Sequence, residues 1–288
     1  MTSSLVGSEM CIRDSGQAGY SEDEISDILK MDRKYIDYAI EHKYEDDFIS
    51  LVNEKYFIWK NYDEYIKYID DVYGDKKVDY SLVVSKINTK TNYNPYTHTE
   101  DTDMDMGNAI LVNKYYHLAS DYAPDDIVEM SNWYSYPGNR IREEVYNAFI
   151  EMFNAAKEDG ITLIVNSSYR THDEQEEIYN DYESSQGKAY ADKYAARPDY
   201  SEHQTGLALD IFTPGAGMAN FEDTDAFRWL QENSYKYGFI LRYPKGKEDI
   251  TGYNYEAWHY RFLGKDLAKK VYNSGLTYDE YYAYYLEK

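Results

Sequence analysis

Cysteine is nearly absent. Of 288 residues only Cys11 carries a thiol, which excludes an internal disulfide framework. It leaves the compartment open, since cytoplasmic proteins and secreted bacterial proteins that dispense with disulfides both fit. No run of 18 or more apolar residues occurs, so the sequence as given contains no membrane-spanning helix. Basic residues are also scarce: 30 Lys and Arg stand against 53 Asp and Glu, a formal net charge of −23. That balance argues against DNA or RNA as the main partner, because phosphate binding needs a basic face. The acidic balance reads as the solvated surface of a soluble protein, and we expect a monomer.

The apolar content is ample: 43% hydrophobic residues suffice for a sizeable core. The length suits one large domain, or a catalytic domain with a smaller companion. There are 36 Tyr, many in polar surroundings such as Tyr62-Asp63-Glu64-Tyr65. An apolar body with a polar tip suits half-buried faces and ligand grooves; a carbohydrate-rich partner and plain compositional bias both account for it. Residues 1–19 read as a disordered or artefactual N-terminus. The stretch from Ser4 to Ser15 resembles a translated sequencing adaptor. On that reading an export signal or anchor is missing from the fragment, and the lack of a targeting segment carries little weight.

Residues 20–87 read as a small helical unit of two to four helices. Ser21-Glu22-Asp23-Glu24 fits a capping box. Ile25, Ile28 and Leu29, then Tyr35, Ile36, Ala39 and Ile40, follow at helical spacing until Gly74 and Asp75 break the pattern. Residues 88–107, rich in Asn, Thr, Asp and Tyr, read as a linker. Asp101, Asp103, Asp105 and Gly107 invite a calcium-loop reading, but Met106 and Val112 stand where an EF-hand loop needs Gly and Glu. In residues 108–288 the pattern predicts strands near 109–112, 161–165, 207–212, 239–243 and 258–262. Helices are predicted near 140–159, 171–182, 223–237 and 265–273, and from 278 onward. Strands and helices interleave without the regularity of a doubly wound sheet, which predicts an α+β fold: a small antiparallel sheet flanked by helices.

Two stretches concentrate the chemistry. One is Ser201-Glu202-His203-Gln204-Thr205-Gly206-Leu207-Ala208-Leu209-Asp210; the other is Glu256-Ala257-Trp258-His259. Two imidazoles and a carboxylate can hold a zinc ion and leave a fourth position for water, and a further Glu can take that water's proton. On an ideal strand His203 and Asp210, seven apart, face opposite ways. Gly206 can break the strand and leave His203 on a loop. Asp210 alone reads equally as a carboxylate bonded to backbone amides. Glu256 and His259 do not share a strand face either, so a turn or bend near Ala257 is needed; alone they read more simply as an exposed Glu and a His packed behind Trp258. Arg170 ends the strand-to-helix loop that starts at Asn166, where functional groups often lie. Its planar fork suits a carboxylate or an oxyanion, although by itself it reads as a surface ion pair.

Together these elements resemble the VanY-type D-alanyl-D-alanine carboxypeptidases, in the group of zinc peptidases that includes VanX dipeptidases and hedgehog-like relatives. The family's Ser-x-His-x-x-Gly-x-Ala-x-Asp pattern is matched from Ser201 to Asp210, and its Glu-x-Trp-His pattern from Glu256 to His259. Its Ser-x-Tyr-Arg-(Ser/Thr) loop followed by Gln is similar to Ser168, Tyr169, Arg170, Thr171 and Gln175. The resemblance covers roughly residues 108–275; Ala119-Ser120 departs from an expected Leu-Pro. It implies a zinc site in a surface cleft, with one zinc ion held by His203, Asp210 and His259. It also implies Glu256 as general base and then acid, and Arg170 at the scissile carbonyl. Ser201, Gln175, Ser168 and Tyr169 are implied substrate contacts. His42, His98 and His117 are not expected as ligands, and His172 lies near the site at the polar start of a helix. The implied activity is removal of the terminal D-alanine from peptidoglycan stem peptides outside the cell or at the bacterial envelope. An L,D-carboxypeptidase, a peptidoglycan endopeptidase and a non-catalytic zinc-bearing module are the alternatives.

Overall fold

The computed structural model describes residues 18–42 and 44–287; the expected N-terminal peptide, with Cys11, lies outside them except for Ala18 and Gly19. The chain divides into two compact units between Asn88 and Thr89.

In the first unit the described residues form helices α1 (Glu22–Ile28), α2 (Arg33–Glu41), α3 (Phe48–Val52), α4 (Tyr62–Val72) and α5 (Tyr80–Asn88). Ser21 and Glu24 make the reciprocal capping box at the start of α1. Five α-helices exceed the expected two to four. The pattern read from sequence stops at Gly74, yet α5 beyond it returns Val83, Val84 and Ile87 to a core with Ile28, Leu51 and Tyr65. The Asn88 carboxamide oxygen accepts from the Tyr65 hydroxyl at 2.6 Å and from Asn61 Nδ2 at 2.8 Å, which ties α5 to α4.

The second unit is built on a four-stranded antiparallel sheet in the order β5 (Ile164–Ser167), β6 (Ala208–Phe212), β8 (Glu256–Phe262) and β7 (Phe239–Tyr243). Upstream lie β1 (Glu100–Asp101), paired parallel with β2 (Tyr116–His117), and the antiparallel pair β3 (Ile127–Glu129) and β4 (Arg140–Arg142). Helix α6 (Glu143–Glu158) buries Val145, Ala148, Phe149, Met152, Phe153 and Ala156, one stripe at helical spacing. That stripe packs on Leu207, Leu209 and Ile211 from β6 and the turn before it, and on Tyr260 and Phe262 of β8. The sheet's other face carries Asp210, His259 and Arg261. After β5 come α7 (His172–Gln186) and α8 (Lys188–Tyr194); α9 (Asp225–Asn233) precedes β7, and α10 (Glu248–Thr251) leads to β8. Helices α11 (Lys265–Ser274) and α12 (Tyr278–Tyr285) close the chain, packing Ala268, Val271, Tyr278 and Tyr282 with Leu111, Tyr115 and Tyr116. Among the described residues no helix is long and apolar enough to cross a membrane.

Two sequence expectations change here. Residues 89–107 are not a linker but part of the second unit: β1 pairs with β2, and Tyr93 packs against the C-terminal helices. The apolar run 109–112 is not a strand. Its carbonyls are taken by side chains instead of a ladder: Arg261 Nη2 donates to Ile110 at 2.8 Å, and the Thr102 hydroxyl donates to Leu111 at 2.9 Å. Buried backbone groups need partners, and here side chains from distant segments supply them.

Candidate metal centre and cleft

Asp210 lies on a central strand, between Ser167 on β5 and His259 on β8. Cross-strand pairing therefore brings Asp210 and His259 together. His203 arrives from a short 3-10 turn (Glu202–Thr205) that ends at Gly206 with φ +67°. This left-handed residue redirects the chain into β6, and so resolves the seven-residue spacing. A Cβ at Gly206 would stand 2.7 Å from Arg142 Cγ. Gly206→Ala should therefore lower unfolding stability by about 1–3 kcal/mol, read from denaturant titration; an unchanged midpoint would refute this account of the turn.

Of the turn or bend expected near Ala257, no turn occurs. β8 runs unbroken through Glu256 and His259, but Leu241 opposes Tyr260 while Tyr243 opposes Glu256. Two steps on β7 thus match four on β8, an irregularity in the ladder across which the strict alternation of facing is interrupted. Ala257 joins the core with Tyr260, and Glu256 joins the cleft with His259.

The ligand-capable atoms of His203, Asp210 and His259 lie within 4.8 Å of one another, and all three residues are buried. His203 Nε2 is 3.5 Å and His259 Nδ1 is 3.4 Å from Asp210 Oδ1. Among the described residues, this buried oxygen has no hydrogen-bond partner. A buried carboxylate oxygen without a partner is costly, and a cation between the three groups would supply one. His203 Nδ1–H donates to the Ser168 carbonyl at 2.7 Å, which fixes the tautomer and turns the Nε2 lone pair inward. Burial, with Arg170 nearby, pushes His203 down to about 4, so the ring is neutral at pH 7. Burial also works against charge on His259, but the Asp210 and Glu202 carboxylates outweigh it and hold the ring at about 9. Burial raises Asp210, yet the two imidazoles hold it well below the usual range. Once an arriving cation displaces the His259 Nδ1 proton, two nitrogens and one carboxylate oxygen are a donor set suited to zinc, with room for a further ligand.

Glu256 Oε2 lies 3.5 Å from His259 Nδ1. Burial pushes its carboxyl up to about 7, against the pull of His259. Arg170 reaches the same space, with Nη2 3.8 Å from Asp210 Oδ2. It is held by Gln175 Oε1, which accepts from Nη1 at 2.7 Å, and by Ser167 Oγ at 3.3 Å from Nε. These groups open into a cleft of about 540 Å³ whose outer wall includes Tyr182, Tyr190 and Tyr194.

The implied substrate contacts separate in the structure. Ser201 lines the cleft. Gln175 also lines it, but both ends of its amide are engaged: Oε1 by Arg170, and Nε2 donating to the Ala196 carbonyl at 2.8 Å. It anchors Arg170 through Oε1, and one of its two Nε2 hydrogens is taken by Ala196. Ser168 is turned away, its hydroxyl donating to Asn139 Oδ1 at 2.7 Å while its carbonyl holds His203. Tyr169 packs under Arg140, 5.4 Å from ring centre to guanidinium. Neither Ser168 nor Tyr169 lines the cleft. His172 bonds Asp199 at 2.7 Å, away from the cluster.

Sequence reasoning missed a set of buried charges behind His259. Glu202, Arg242 and Arg261 are fully enclosed, with Asp279 beside them. The available signal was an arginine inside each of two apolar runs, 239–243 and 258–262, where a buried charge demands a partner.

Comparison with known proteins follows the same outline. A family model described as VanY, D-alanyl-D-alanine carboxypeptidase, matches residues 138–265. A D-alanyl-D-alanine carboxypeptidase of Enterococcus faecalis (strain ATCC 700802 / V583) is 39% identical over 194 residues, spanning 64% of this chain and 69% of that protein. The chain belongs to the VanY family. Another relative, YodJ of Bacillus subtilis (strain 168), is 44% identical over 182 residues, 60% of this chain and 66% of that protein. Among solved structures, the LdcB LD-carboxypeptidase aligns with TM-score 0.61 and 38% identity, over 73% of this chain and 92% of its own. A variant of the vancomycin-resistance D,D-pentapeptidase VanY in complex with Zn(II) aligns with TM-score 0.53 and 38% identity, over 60% and 98%. The segment matched by the VanY family model holds Arg170, His203, Asp210, Glu256 and His259, and ends before α12 and Asp279.

Proposed function

We propose that this chain is a zinc-dependent carboxypeptidase that removes the terminal D-alanine from peptidoglycan stem peptides at the bacterial envelope. The observation that carries the proposal is the His203–Asp210–His259 cluster around an Asp210 oxygen that has no hydrogen-bond partner among the described residues, with Glu256 and Arg170 facing the same cleft. The carboxypeptidase activity of the Enterococcus faecalis relative and the Zn(II) of the solved VanY structure support it.

Zinc held by His203, Asp210 and His259 would supply Lewis acidity, lowering the pKa of a water and polarising the scissile carbonyl. Glu256, poised near neutrality, takes a proton from the attacking water and passes it to the leaving amine. A C–O bond forms, the peptide C–N bond breaks, and free D-alanine leaves. Arg170 meets the negative charge that develops on the carbonyl oxygen, with Gln175 and Ser167 fixing its fork. Arg170→Ala should lower kcat by about 10²–10³, with Arg170→Lys restoring only part. Steady-state kinetics checks this, and a kcat within threefold of wild type would remove Arg170 from the mechanism.

A second reading is an L,D-carboxypeptidase acting on tetrapeptide stems. The LdcB likeness, with a higher TM-score over more of the chain than the VanY structure, favours weighing it. Mass spectrometry of products from purified pentapeptide and tetrapeptide stems separates the two. Loss of alanine from the pentapeptide alone supports the first reading, and from the tetrapeptide alone the second; no release from either sinks both.

A further inference from the structure

His259 has two ring nitrogens and two carboxylate neighbours. Nδ1 faces Asp210, while Nε2 lies 3.3 Å from Glu202 Oε2. Glu202 directly precedes His203, so one turn of chain carries a candidate ligand and a partner for the opposite ligand. The Glu202 side chain is wholly buried, and its other oxygen accepts from Arg242 Nε at 2.7 Å and Arg261 Nη1 at 2.9 Å. Arg242 is gripped in turn by both oxygens of Asp279 on α12, at 2.5 and 3.0 Å, and Asn113 Nδ2 donates to Asp279 at 2.8 Å. Arg261 Nη2 donates to the Asn108 and Ile110 carbonyls, and Nε donates to that of Phe262. Two guanidiniums and two carboxylates thus balance in charge, and every nitrogen of both guanidiniums donates at least once, the kind of pairing under which a buried ionic cluster is tolerated.

We infer that Glu202 is a positioning residue for His259: it accepts the Nε2–H, sets the tautomer that turns the Nδ1 lone pair toward Asp210, and is itself held by a cage that the C-terminal helix completes. This inference rests on the zinc reading above. A carboxylate behind a ligating imidazole fixes ring orientation and raises ligand basicity, and its loss typically weakens metal binding about 10–100-fold. The competing account is that the cluster only holds the fold together.

Two charge-balanced double variants distinguish these accounts, because each removes one buried ion pair and leaves the other. Glu202→Gln with Arg261→Gln removes the carboxylate behind His259. Arg242→Gln with Asp279→Asn leaves Glu202 paired with Arg261. Zinc affinity is read by competition with a chromophoric chelator on the full chain, with circular dichroism confirming the metal-free fold, and the visible spectrum of the Co(II)-loaded protein reports ligand geometry. The first pair should weaken zinc by about 10–100-fold and change the Co(II) spectrum; the second should do so by a markedly smaller factor. Equal losses from both pairs, or affinity within twofold of wild type for the first, would overturn the inference. If the first pair does not fold, Glu202→Gln alone is read in the same assay, against the same threshold. A wild-type chain that takes up no zinc would overturn the zinc reading itself, and this inference with it.

Discussion

Glu256→Gln should lower turnover of stem peptides by about 10²–10⁴-fold while the protein keeps its zinc. The amide has the shape of the carboxylate and can sit in the same place, but it cannot accept a proton from water. Glu256 is also outside the three-residue cluster, so its loss leaves the candidate ligand set whole. The environment suits proton transfer, because burial, opposed by His259, sets the carboxyl at about 7, where it can both take and return a proton near neutral pH. The loss should fall on kcat rather than KM, the signature of an interaction made in the transition state. Kinetics paired with metal analysis of the same sample checks it. Turnover that survives the substitution with zinc bound would show that another group handles the proton.

The parts of this site legible in the sequence are the contiguous ones. Ser201 to Asp210 carries its own solution to the spacing problem, since only Gly206 could supply the left-handed residue that separates turn from strand. The loop ending at Arg170 was legible for the same reason: a β-rich run, a polar loop and a capping box follow in order, and Thr171 and Glu174 make that box. What the sequence hid is register. Nothing local states that β6 lies between β5 and β8, or that Asp210 opposes His259. The alternation of residues 256–262 even points the wrong way, because the irregular register between β7 and β8 interrupts it. Likewise hidden was the cage around Glu202, whose partners lie 40 and 59 positions away. The same limit explains the misread linker: residues 89–107 look polar and irregular, and only the fold shows which segments accept their hydrogen bonds.

Removing zinc should abolish turnover and also soften the fold, and the second effect is the more revealing. Asp210 is buried in the middle of the sheet, its Oδ1 without a hydrogen-bond partner among the described residues, and Glu256 and Glu202 add negative charge nearby. Arg170 approaches only to 3.8 Å, and from the other carboxylate oxygen. A cation at the cluster would therefore relieve a costly local feature of the sheet, and its binding energy would become folding energy. At a free zinc concentration of about 1,000 times Kd, the stabilisation is about 4 kcal/mol. For a unit of this size that corresponds to roughly 8–16 °C in melting temperature. Calorimetry with and without a strong chelator measures it, and re-addition of zinc should restore both activity and melting temperature. The variants divide by role. Glu256→Gln should show the full wild-type shift although it is nearly inactive, because in the proposed mechanism the residue handles a proton and it lies outside the three-residue cluster. His203→Ala and His259→Ala should show almost none, having lost a ligand. A melting temperature indifferent to chelator in the wild type would mean that the sheet tolerates Asp210 without a cation, and the reading of the cluster as a metal centre would fall.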